Sequence, residues 1–269
     1  MRKILDYIKF LESEPSMSLR CAYCGTEIAS YSAEAICPFC GALVNTTDEE
    51  LKSHSTVYDL LLKRYDAFKA GSFDSANAYS EEIINSEKKA ESYYGAAVFY
   101  EAASDYFYNN TNYGIYGYME ENAANKVKAK EMLTKAKQYF YTALDMCKDN
   151  LSNDFGYDYL KFTIELRLKR IGDAKSSLDE LSKSSGSQFA KDYAKLAFYV
   201  EAKQFKAAKE YLEKLPQYND IWISYYAARV IAEMGDYTGS KRILEKILKV
   251  AYMPRAQALL HKVEEASDI

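Results

Sequence analysis

Four cysteines carry the most specific chemistry in this chain. They lie in Cys21-Ala22-Tyr23-Cys24-Gly25 and Cys37-Pro38-Phe39-Cys40-Gly41. In each pair two thiolates stand three residues apart on a tight turn that ends in glycine. Such a turn aims both sulfurs at one point, and backbone N–H groups near the glycine can bond to them. Two of these turns, separated by the twelve residues Gly25 to Ile36, complete a tetrahedral four-thiolate set, the usual arrangement for one structural zinc ion. Two disulfides or four unrelated thiols are the other readings of these residues. A shell of four protein ligands has no open coordination position, which argues against hydrolysis at such a metal. A segment this short cannot bury enough apolar surface to hold itself together, so the expected role of the ion is folding.

The spacing and the sequence Cys-Pro-Phe-Cys-Gly resemble a zinc ribbon over about Leu19 to Val44. The resemblance implies one zinc on Cys21, Cys24, Cys37 and Cys40, with a short β-hairpin over Thr26 to Ile36 linking the two knuckles. Glu27, Ile28, Tyr31, Ala35 and Ile36 form a compatible strand pattern. The ribbon is placed at residues 16–47. Before it, residues 1–15 read as a short amphipathic helix, with Ile4, Leu5, Ile8 and Leu11 on one face and Pro15 at its end. Residues 48–56 read as a linker.

Charge bears on the partner. Of the net −4 over 269 residues, all resides in residues 1–50, which hold four basic side chains against eight acidic ones. Between Leu19 and Val44 the only basic residue is Arg20. Nucleic-acid affinity requires Lys and Arg at phosphates, so DNA or RNA is not the expected partner. The fifth cysteine, Cys147, follows Met146 on an apolar helix face and reads as core. Paired thiols without a secretory signal point to a reducing, cytoplasmic setting. No stretch approaches the ~18 consecutive apolar residues of a membrane span.

From residue 57 onward, charged and apolar residues recur with a helical period and Gly and Pro are sparse. A kernel repeats in which an apolar residue is followed three later by a small one, then by mostly apolar residues four and seven further on. Its small residues are Ala76, Ala136, Ala174, Ala208 and Ser240, at separations of 60, 38, 34 and 32. Turn signals recur at Gly71-Ser72-Phe73, Arg170-Ile171-Gly172-Asp173 and Gly235-Asp236-Tyr237. The last two separations are near the ~34-residue tetratricopeptide period. Residues 57–269 thus resemble a degenerate tetratricopeptide-repeat (TPR) α-solenoid of about five helix pairs. Asn109 to Tyr118 read as a loop inserted in the second pair, and Arg255 to Ala266 as a closing cap helix. The expected fold class is mainly α: a TPR-like solenoid behind a small four-cysteine ribbon.

Resemblance to TPR arrays implies a concave face lined by the first helix of each pair. The residues expected to bind a partner protein or peptide there are Tyr159, Arg167, Tyr193, Tyr226 and Arg229. Exposed tyrosine with arginine suits such contacts because rings supply area with little lost rotamer entropy. Neither histidine, His54 or His261, belongs to a recognisable constellation, and no phosphate loop, nucleophile elbow or HExxH is present. The expectation is a non-enzymatic adaptor. The alternatives are a nucleic-acid-associated regulator using the ribbon, and a homo-oligomeric assembly protein.

Overall fold

The computed structural model describes residues 4–45, 56–112, 119–149 and 154–267. The chain forms two compact units. One comprises Met1–Arg20, Glu27–Glu49 and Ser152–Ile269, the other Cys21–Thr26 and Glu50–Leu151. The expected linker 48–56 lies outside the described residues except for Thr56.

In the first unit, β1 (Met17–Arg20) pairs antiparallel with β2 (Glu27–Ser30), Leu19 facing Ile28. Likewise β3 (Glu34–Ile36) pairs with β4 (Leu43–Asn45), Ile36 facing Leu43. This corrects the single hairpin expected over Thr26 to Ile36. Each knuckle is itself the reversal of a hairpin, because its glycine takes the positive φ that closes the turn: +80° at Gly25 and +77° at Gly41. The segment before the strands runs as two 3₁₀ turns, Ile4–Tyr7 and Lys9–Glu12. Ile8, Phe10 and Leu11 are all buried there. Ile8 and Phe10 would point to opposite sides of an α-helix, so one amphipathic helix could not bury both.

The helices of this unit are α5 (Phe155–Arg167), α6 (Ile171–Lys183), α7 (Gln188–Glu201), α8 (Phe205–Lys214), α9 (Ile221–Glu233), α10 (Tyr237–Val250) and α11 (Pro254–Ser267). Each packs on the next, and α5, α7, α9 and α11 also touch in succession, forming one continuous layer. The second unit contains α1 (Thr56–Lys69), α2 (Phe73–Ser86), α3 (Ala90–Asn112) and α4 (Met119–Asp149), packed in sequence. The loop expected at Asn109 to Tyr118 lies mostly outside the described residues. Asn109 to Asn112 continue α3, residues 113–118 lie outside the described residues, and Met119 already belongs to α4. No helix among the described residues is long and apolar enough to cross a membrane.

The repeat is clearest in its turns. Three residues join α1 to α2, α5 to α6, α7 to α8 and α9 to α10, and the middle one is left-handed each time. These residues are Gly71, Lys169, Lys203 and Gly235, at φ +74°, +59°, +59° and +87°. The following N–H then reaches back five residues, as in Arg170 N–H to the Glu165 carbonyl at 2.9 Å and Gln204 N–H to Tyr199 at 2.8 Å. This is the Schellman closure, which satisfies carbonyls at the helix end. The turn before α6 therefore pivots on Lys169, while Gly172 lies within α6. The small residues Ala76, Ala136, Ala174, Ala208 and Ser240 are all buried, where they allow close helix contact.

A left-handed lysine costs about 1 kcal/mol that glycine avoids. Lys203 is exposed. Lys203→Gly should therefore raise stability by about 1 kcal/mol in chemical denaturation. An unchanged or lower midpoint would contradict the turn assignment.

Candidate metal centre

The two knuckles have the same backbone wiring. Gly25 N–H donates to the Cys21 carbonyl and Gly41 N–H to the Cys37 carbonyl, both at 2.8 Å. Cys21 N–H reaches the Thr26 carbonyl at 3.0 Å, and Cys37 N–H the Ala42 carbonyl at 2.8 Å. The four cysteines are 0% exposed, and their sulfurs lie within 4.8 Å of one another. A four-thiolate ion with metal–sulfur bonds of roughly 2.3 Å would have sulfurs roughly 3.8 Å apart, so the donor set fits. Tyr23 N–H lies 3.4 Å from Cys21 Sγ, and Thr26 Oγ1 is 3.1 Å from Cys24 Sγ. With Cys24 as a metal-bound thiolate, the Thr26 hydroxyl is the donor. Among the described residues these cysteines are the one cluster able to hold a metal ion. Cys147 is buried apart from them.

In the second unit the first knuckle rests on α1 and α3. Arg64, 0% exposed, donates through Nη2 to the Tyr23 carbonyl at 2.7 Å and lies 4.5 Å from the centre of the Phe99 ring. It places a buried positive charge against a knuckle that carries two of the four cysteines. The approach is as close as backbone allows. A Cβ on Gly95 would stand 2.3 Å from the Tyr23 carbonyl oxygen, and one on Gly25 would stand 2.4 Å from that of Leu61.

In the first unit the second knuckle is held by side chains of α5 and α9. Trp222 Nε1 donates to the Cys37 carbonyl at 2.7 Å, Arg167 Nη2 to Cys40 at 2.5 Å, and the Tyr159 hydroxyl to Gly41 at 3.1 Å. Asp220 caps α9, its carboxylate accepting from Trp222 and Ile223 N–H at 2.9 and 3.1 Å. It also accepts Ile36 N–H at 3.2 Å. Burial pushes the Asp220 carboxyl up to about 6, opposed by those three N–H groups.

The residues expected to form an open groove are placed differently. Tyr159, Tyr193 and Tyr226 are 3%, 4% and 3% exposed. Tyr193 packs on Tyr159, Trp222 and Tyr226 at ring separations of 6.3, 6.1 and 5.8 Å. Tyr159 and Arg167 bind the chain's own knuckle, and Arg229 pairs with Glu201 at 2.7 Å. As free contact surface the three tyrosines are thus corrected. The aromatic excess fills the interior behind the knuckle because the ribbon supplies the opposing wall.

Sequence reasoning missed Arg64, Gly95, Asp220 and Glu201, and left Trp222 out of the site. Two signals were available: a lone glycine inside a helix, which marks close packing, and an aspartate just before an apolar helix. Glu201 is buried between Lys169 and Arg229, each at 2.7 Å, with Arg255 at 3.7 Å. Burial alone would raise its carboxyl. The charges of Arg255, Arg229 and Lys169 outweigh that and hold it at about 2, against 4.5 ordinarily.

Gly95→Ala should cost ~1–3 kcal/mol by forcing α3 off the Tyr23 carbonyl, and should speed metal loss to a chelator. Wild-type stability and release would contradict the packing. Because the folded Glu201 carboxyl titrates below its unfolded value, its stabilisation is complete above pH 4.5 and is lost as pH falls toward 2. Its size is on the order of 2–3 kcal/mol. Glu201→Gln should flatten that acid limb of the stability profile, and an unchanged limb would contradict the ion-pair assignment. No protein-family model, curated protein or solved structure matches the chain.

Proposed function

We propose that this protein is a non-enzymatic, zinc-stabilised interaction scaffold of the cytoplasm, whose helical pairs are degenerate TPR units that bind an acidic segment of a partner protein. The observation that carries this reading is the rim of cations beside the second knuckle. Lys169, Arg229 and Arg255 surround the carboxylate of Glu201, and Arg167 lies on the Cys40 carbonyl. Three positive charges against the one carboxylate leave an excess of +2 around Glu201, where Lys169 is 64% exposed. Such a field attracts carboxylates and speeds their encounter. The four buried thiolates support zinc rather than a harder ion, since soft sulfur ligands select it. A closed shell gives that zinc a folding role.

Elemental analysis should find one zinc per chain, and Cys24→Ser should abolish it. Lys169→Glu reverses charge at the rim while leaving every cysteine in place. It should lose capture of the partners that the wild-type chain retains, with zinc content unchanged. Identical partner profiles would overturn the rim as the binding surface.

A further inference from the structure

Four hydrogen bonds that hold the second knuckle share one property: each joins a side chain of the helical layer to the knuckle's main chain. Trp222, Arg167 and Tyr159 take the carbonyls of Cys37, Cys40 and Gly41, and Asp220 takes the N–H of Ile36. Bonds of this kind read backbone, and they would fit the main chain of another segment that presents the same turn. Their bearers stand on α5 and α9, in the layer where repeat proteins present a binding surface. We propose that this face is a peptide groove filled in cis by the protein's own segment Ile36 to Gly41, and that the bound metal keeps it filled.

The inference rests on the metal reading above and extends it to regulation. A six-residue turn has no core of its own, and its shape depends on the ion that fixes its sulfurs. With the ion bound, the knuckle acts as a tethered ligand at high effective concentration and excludes competitors. With the ion lost, the tether loosens and the donors of Trp222, Arg167 and Tyr159 become available to a segment in trans. The knuckle also fills its groove incompletely. Beside Gly41, which has no side chain, a gap of about 20 Å³ is bordered by Thr163, Arg167, Glu201, Tyr226 and Arg255. An acidic side chain on a competing peptide would meet the guanidinium groups of Arg167 and Arg255 beside the one carboxylate of Glu201, so the ligand class is an acidic segment that adopts the same turn.

The full chain reports on this through its single tryptophan, Trp222, which is 1% exposed and bonded to the knuckle. Metal content is measured first, then acrylamide quenching of Trp222 before and after chelation, with circular dichroism to follow helicity. A fluorescein-labelled peptide of residues 34–43, carrying Cys37→Ser and Cys40→Ser, serves as the probe in trans. Chelated protein should show at least two-fold stronger quenching and bind the peptide at least ten-fold tighter than the metal-loaded protein. Arg167→Ala should weaken peptide binding to the chelated form at least five-fold. Equal binding in both states, or no binding in either, would overturn the proposal. If chelation also collapses the helices, Tyr159→Phe with Arg167→Ala in metal-loaded protein replaces it. Quenching should again rise at least two-fold, and unchanged quenching overturns the groove. Absence of metal from the purified chain would instead sink the metal reading, independently of the quenching result for that double variant.

Discussion

A buried main-chain carbonyl must find a donor, and the knuckles of this protein depend on that constraint. Their own turns satisfy only part of their backbone. The carbonyls of Tyr23, Cys40 and Gly41 are met by Arg64, Arg167 and Tyr159 from the helices, and Trp222 adds a second bond to Cys37. Each of these donors is long or aromatic and must be buried to reach its target. The helix spacing, the glycine at position 95 and the aspartate capping α9 all serve that reach. Each knuckle is therefore packed into the helices of its own unit.

This packing changes what the tyrosines mean. A chain with 26 tyrosines suggests an exposed aromatic surface. Here Tyr159, Tyr193 and Tyr226 face inward because a ribbon segment closes over their side of the layer, and the ring hydroxyl of Tyr159 is spent on it. What reaches solvent at this face is charge. Glu201 is buried among cations that hold it ionised, and the excess positive charge lies at the rim. The proposed recognition of an acidic segment rests on that imbalance.

Legibility in the sequence followed the range of the interaction. The four cysteines were readable because ligand spacing on a tight turn is local. The small residues Ala174, Ala208 and Ser240 were readable because close helix packing repeats with the fold. Turns were half legible: Gly71 and Gly235 announce a left-handed residue, whereas Lys169 and Lys203 adopt it only because their neighbours impose it. The partners of the knuckles were not legible. Arg64 lies 41 residues from Tyr23, and Trp222 185 from Cys37, and no local pattern couples residues at such distances. The hairpin differs for another reason: β2 pairs back across the first knuckle to β1, a local partner, instead of forward to β3.

X-ray absorption at the zinc edge of the purified full chain tests the four-thiolate centre most directly. The expected spectrum shows four sulfur neighbours at roughly 2.3 Å and no lighter ligand. A shell containing nitrogen or oxygen, or a chain that holds no zinc and carries its cysteines as disulfides, would contradict it.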